Sequence, residues 1–180
     1  MALNIFLVAG EASGDRLGAG LIRAIRAEHP DAVFQGVAGP GMVAAGCKAW
    51  WPSETLAVMG LSEVVAHLPR LLRLRRELGR RLLAAPPDVF VGIDAPDFNL
   101  GLERRLKRGG IPVVHYVSPS IWAWRPGRVR KIARSVDRVL CLLPFESAPY
   151  TDAGVDAVFV GHVLADEIPL QTDPVAARRT

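Results

Sequence analysis

Short apolar runs alternate along this 180-residue chain with longer stretches in which an apolar stripe is set among charges. Runs such as Asn4–Ala9 and Asp88–Ile93 are nearly unbroken by polar residues, the pattern of strands buried on both faces of a parallel sheet. The pattern predicts strands at Asn4–Ala9, Ala32–Val37, Asp88–Ile93, Pro112–Val117, Arg138–Leu142 and Ala157–Val160. Helices are predicted at Arg16–Glu28, Ser62–Leu83, Leu100–Arg108, Arg125–Ser135 and Phe145–Asp152. Strand and helix in that succession predict an α/β fold, a doubly wound parallel sheet whose ligands bind at the carboxyl ends of its strands.

Composition narrows the picture. Half of the residues are apolar, enough for one sizeable core, and the length suits one domain. Residues 1–168 are read as that domain, and Pro169 to Thr180 as a connector opening into a further helix. The amino-terminal residues run from an apolar strand straight into Glu11, with no basic leader or cleavage-site pattern, so a first strand is expected there rather than an export signal. Nowhere do ~18 apolar residues run together as a membrane-spanning helix requires. Cys47 and Cys141 lack metal-ligand spacing and read as packed thiols of a reducing cytoplasm.

The net charge of +4 is unevenly spread. Arg70, Arg73, Arg75, Arg76, Arg80 and Arg81 face only Glu77 in their stretch, and a second basic run extends from Arg125 to Arg138. Such patches favour an anionic partner: phospholipid, nucleic acid or a phosphorylated small molecule. The arginines of the first run surround an apolar stripe of Val64, Val65, Leu68, Leu71 and Leu72. Two readings stand: an interfacial helix with acyl chains on its leucines and phosphates on Arg73 and Arg76, or an ordinary surface helix showing its stripe to the core.

Three loops carry candidate chemistry. Gly10-Glu-Ala-Ser-Gly-Asp15 follows the first strand, with Glu11, Ser13 and Gly14 as candidate ligand contacts and Asp15 as either a helix cap or a ligand-facing group. Its spacing is not a dinucleotide fingerprint or a phosphate loop, and its acidic residues oppose a pyrophosphate, so no nicotinamide cofactor is expected. A second loop, Asp94-Ala-Pro-Asp-Phe-Asn99, ends an apolar strand. Asp94 has the place and the surroundings of a general base, whereas Asp97 could equally cap the next helix. The third, Ser118-Pro-Ser-Ile-Trp-Ala-Trp-Arg125, sets Ser118, Ser120, Trp122 and Arg125 together; such a group could hold a sugar face and a phosphate, or simply pack. His115, inside an apolar strand, reads as a core histidine.

These segments, with Gly36-Val-Ala-Gly-Pro40, Leu56-Ala-Val-Met-Gly60, Leu143-Pro-Phe-Glu146 and Phe159-Val-Gly-His162, occur in an order that resembles the lipid-A-disaccharide synthase family across essentially the whole chain. The resemblance implies the N-terminal, acceptor-side Rossmann-like domain of a GT-B glycosyltransferase, inverting and working without metal or other cofactor. It implies a cytoplasmic enzyme peripherally associated with the inner membrane of Gram-negative bacteria. The donor would be UDP-2,3-diacylglucosamine and the acceptor 2,3-diacylglucosamine 1-phosphate, giving the β-1,6 disaccharide of lipid A and UDP. Asp94 would be the base, and Glu11, Ser13, Gly14, Asp97, Asn99, Ser118, Ser120, Trp122 and Arg125 would bind substrate. Most of the donor site would belong to a C-terminal domain following residues 169–180, so the 180-residue chain alone is expected to be inactive or nearly so. The alternative is a non-catalytic module that docks on anionic membrane or phosphoglycolipid. A nucleic-acid partner is not expected, because the basic stretches carry no recognisable binding motif.

Overall fold

The computed structural model describes residues 2–56, 61–119 and 128–168. Seven strands form one sheet: β1 (Asn4–Ala9), β2 (Val33–Ala38), β3 (Cys47–Pro52), β4 (Val89–Ile93), β5 (Val113–Tyr116), β6 (Arg138–Cys141) and β7 (Asp156–Phe159). All pairings are parallel and the order is β3-β2-β1-β4-β5-β6-β7. The order reverses between β1 and β4, which opens a crevice outside their carboxyl ends.

The apolar runs form the middle of the sheet because both of its faces are covered. Along β1, Phe6 and Val8 enter one core and Ile5, Leu7 and Ala9 the other, in the two-residue alternation of a strand. Helices α1 (Ala12–Glu28) and α2 (Pro40–Ala44) cover the second face through Leu17, Ile22 and Met42. The first face is covered by α3 (Leu61–Ala84), α4 (Pro96–Arg108), α5 (Arg128–Ala133) and α6 (Ala148–Thr151). A short α7 (Leu164–Glu167) closes the described chain.

The six expected strands are all present, within one residue at each end. β3 was not expected: its Cys47-Lys-Ala-Trp-Trp-Pro52 is an edge strand, mostly exposed or half-buried, and its apolar run is only Ala49-Trp50-Trp51 between Lys48 and Pro52. Two helices begin earlier than expected. α1 starts at Ala12 and α4 at Pro96, a residue whose fixed φ suits a first helical position, so Ser13–Asp15 and Asp97–Asn99 lie in first turns and not in loops. The expected helix at Phe145–Asp152 is divided into a 3-10 turn, Pro144–Glu146, and α6, with Pro149 restarting the helix near its amino end.

Candidate functional site

The crevice between β1 and β4 contains a cleft of about 350 Å³. β1 delivers Glu11, β4 delivers Asp94, and the first turn of α4 delivers Asp97 and Phe98. The opposite wall is α3, which contributes Leu68, Leu71, Leu72 and Arg75, residues at i, i+3, i+4 and i+7 on one helical face. Three carboxylates and one guanidinium therefore converge on a wall of leucines. A larger groove of about 520 Å³, lined by Trp51, Thr55, Arg70, Arg73 and Arg76 among others, runs beside α3. Among the described residues it holds no strand-end carboxylate, and its Glu77 is bound to Arg80 and Arg81 at 3.0 and 2.6 Å. The smaller cleft is the candidate site because it holds the strand-end groups that this topology presents to a ligand.

Asp94 is held by its backbone. Its φ is +50° and that of Ala95 is +44°, left-handed values costing of order 1–3 kcal/mol in a non-glycine residue. Its N–H donates to the Tyr116 carbonyl at 2.8 Å, and its carbonyl accepts from Asn99 Nδ2 at 2.8 Å. Asn99 Nδ2 also lies 3.4 Å from the carbonyls of Val8 and Ile93, tying the ends of both central strands. One turn along α4, Glu103 Oε1 meets His115 Nδ1 at 2.6 Å, and both side chains are fully buried. Burial pushes the Glu103 carboxyl above its ordinary range, with the neighbouring imidazole opposing that shift. The close approach of α4 to β4 requires Gly92, since a Cβ there would stand 2.1 Å from Glu103 Oε1. Asp94 itself is half-buried and lines the cleft.

The remaining expected contacts divide. Glu11, Asp94 and Asp97 meet in the cleft, together with Leu68, Leu71 and Leu72. The stripe of α3 that enters the core is Leu74, Leu78 and Leu82, and Leu71 continues the same face toward the amino end, where it borders the cleft with Leu68 and Leu72. Asn99 is fully buried with its amide on strand carbonyls, and therefore supports the site rather than touching a ligand. Gly14 is buried against Ala9 and Ile93, and Ser118 is buried with its hydroxyl 3.1 Å from that of Tyr150; neither is open to a ligand. Ser13 is exposed on the first turn of α1. Arg73 and Arg76 line the larger groove instead of the cleft. Val64 and Val65 lie on α3 where side chains are outside the described set, and Ser120, Trp122 and Arg125 are outside the described residues.

Asp15 is a cap, though of an unexpected helix. From the first turn of α1 its carboxylate accepts from the N–H groups of Gly39, Gly41 and Met42 at 2.9, 2.7 and 3.0 Å, which form the start of α2. His115 and both cysteines are buried as expected. Arg75 and Glu103 were missed. Arg75 was legible as the next member of the 68-71-72 row, whereas nothing local marks Glu103 as the partner of a histidine twelve residues away.

The family model described as lipid-A-disaccharide synthetase matches residues 5–180. A lipid-A-disaccharide synthase of Alkalilimnicola ehrlichii is 64% identical over 98% of this chain and 46% of its own length. One from Chromohalobacter salexigens is 60% identical over the same shares. The chain thus spans about half the length of the curated relatives it matches. Among solved structures, the UDP-GlcNAc 2-epimerase of Neisseria meningitidis bound to UDP-GlcNAc superposes with a TM-score of 0.64 at 11% identity, covering 91% of this chain and 47% of that one. A glycosyltransferase of kitacinnamycin gives 0.57 at 16% identity, with 89% and 51% covered. Those similarities concern the fold, which is the Rossmann-like half of a GT-B arrangement.

Proposed function

The chain belongs to the lipid-A-disaccharide synthetase family, and from that premise we propose that it supplies the acceptor side of a glycosyl transfer to an acylated, phosphorylated glucosamine. The observation that carries this reading is the convergence of Asp94, Glu11 and Asp97 with the leucines of α3 on one cleft at the reversal of strand order. The leucines take an acyl chain of 2,3-diacylglucosamine 1-phosphate, and the carboxylates take its sugar hydroxyls. Asp94 removes the proton from the 6-hydroxyl as that oxygen attacks the anomeric carbon of UDP-2,3-diacylglucosamine. The bond from that carbon to the UDP oxygen breaks, UDP leaves with the electron pair, and inversion gives the β-1,6 linkage. The donor is held opposite the cleft by chain corresponding to the other half of the longer relatives.

The clamp on Asp94 suits that role. A base must stand within hydrogen-bond reach of the attacking hydroxyl, and a strained backbone fixed on both sides keeps a side chain from drifting. Among the described residues no helix is long and apolar enough to cross a membrane. The α3 leucines, with Arg73 and Arg76 alongside and Leu68 half exposed, give a surface by which the protein works at the anionic inner face of the cytoplasmic membrane.

The test is turnover by this chain joined to the C-terminal half of its 64%-identical relative, with Asp94 intact or changed to Asn. A base predicts a fall of 10²-fold or more in kcat with acceptor binding kept. Unchanged turnover removes Asp94 from the chemistry. Acceptor binding without turnover in the intact protein points instead to a docking module.

A further inference from the structure

The charges lining the cleft are unevenly matched. Among the described residues the rim carries the carboxyl groups of Glu11, Asp94 and Asp97, and those of Glu11 and Asp94 repel an anionic ligand. Arg75 is the one cation among the described residues lining it. Its neighbours in the basic run are engaged elsewhere: Arg80 and Arg81 bind Glu77, and Arg70, Arg73 and Arg76 line the groove beside α3. Arg75 is half-buried and lies across the first turns of α4, where Nη1 donates to the Asp97 carbonyl at 3.3 Å and packs against Gly101. That contact holds one end of the guanidinium at the first turns of α4 while leaving further N–H donors for a ligand, and Arg75 forms no ion pair among the described residues.

We propose that Arg75 is the specificity-determining residue that reads the phosphate of the acceptor. The inference rests on the cleft being the acceptor site. It adds that the phosphate, and not only the acyl chain, selects the ligand, and that it does so through this arginine and not through the more exposed ones. Leu68, Leu71 and Leu72 share a helical face with Arg75, so one amphiphile can lay its chain along the helix and set its phosphate at the guanidinium. A planar guanidinium fork tethered at the Asp97 carbonyl suits the oxygens of a phosphate monoester better than a compact ammonium.

The experiment measures binding of the 180-residue chain to 2,3-diacylglucosamine 1-phosphate and to the same lipid without phosphate, each in neutral detergent micelles. Intact protein is expected to prefer the phosphorylated lipid about tenfold or more, the range of charge-assisted hydrogen bonds in a partly desolvated cleft. Arg75→Gln brings the ratio close to one while binding of the dephosphorylated lipid and the melting temperature hold; Arg75→Lys gives an intermediate ratio; Arg70→Gln leaves it unchanged. A preference that survives in a folded Arg75→Gln overturns the role of Arg75 and leaves the acceptor-site reading standing. Equal binding of the two lipids by the intact protein also overturns it. Binding of neither lipid overturns the acceptor-site reading, and this inference with it.

Discussion

Replacing Asp15 tests whether the loop after β1 is built for stability or for a ligand. The carboxylate accepts three backbone N–H groups at the start of α2, and its side chain is 7% exposed. Asp15→Ala leaves the N–H groups of Gly39 and Met42 buried without partners and that of Gly41 partly so. At about 1–3 kcal/mol per orphaned buried donor the full sum is about 3–9 kcal/mol; backbone relaxation and water at Gly41 bring the expected loss to about 3–5 kcal/mol. Asp15→Asn can keep one oxygen accepting from Gly39 and Met42 but turns an amide N–H₂ toward Gly41, for an expected loss of about 2 kcal/mol. At ~2–4 °C per kcal/mol for a domain of this size, the alanine variant melts about 6–20 °C lower and the asparagine variant about 4–8 °C lower. Urea unfolding followed by circular dichroism measures both, with an unchanged m-value confirming that stability alone moved. An alanine loss under about 1 kcal/mol, or equal losses in the two variants, refutes the cap and returns Asp15 to the ligand-facing reading.

Three further outcomes follow from the buried groups. Burial lifts the Glu103 carboxyl, so the native state holds its proton to higher pH than the unfolded chain, and stability is lost as pH rises from the ordinary value of 4.5 through the raised one. Glu103→Gln has nothing to titrate there, so its melting temperature relative to the parent rises with pH across that window; a constant difference refutes the assignment. Cys47 and Cys141 are buried and their thiols are pushed up to about 11, so alkylation by iodoacetamide at pH 8 is slow until denaturant is added, and rapid labelling of the folded protein would contradict the packing. Gly92→Ala drives a methyl into Glu103 and is expected to lower stability by about 1–3 kcal/mol, measured by the same urea titration.

The strands were legible because their signal is local. Burial on both sheet faces demands consecutive apolar residues, and Ile5 to Ala9 are all within 2% of full burial. β3 lacked that signal because an edge strand packs partly through Trp50, whose ring meets Phe6 edge-on at 4.9 Å while its N–H donates to Gln35. The early starts of α1 and α4 were hidden by composition. Gly14 and Pro96 punctuate a sequence like loop residues, yet one lies in a first turn pressed on the sheet and the other opens a helix. Asp15 and Glu103 were misplaced or missed for a shared reason: each bonds a group on a different element, 24 and 12 residues away, and no spacing rule reaches across the sheet.

Helix α3 packs on the sheet as an ordinary surface helix does and also borders two open hollows. Successive residues on a helix are 100° apart, so Leu71 shares a face with Leu74, Leu78 and Leu82, while Arg70, Arg73 and Arg76 fall on another. Leu74, Leu78 and Leu82 face the core and hold the helix on the sheet. Leu68, Leu71, Leu72 and Arg75 border the cleft, and Arg70, Arg73 and Arg76 border the groove on the far side. The core row lies toward the carboxyl end and the cleft row toward the amino end, so the helix is anchored at one end and offers its apolar surface at the other. Hydrophobicity thus does structural work where α3 packs and leaves apolar surface exposed where it reaches the carboxyl ends of β1 and β4. Leu68 remains 47% exposed, an apolar surface that water disfavours at the mouth of the cleft that Asp94 lines.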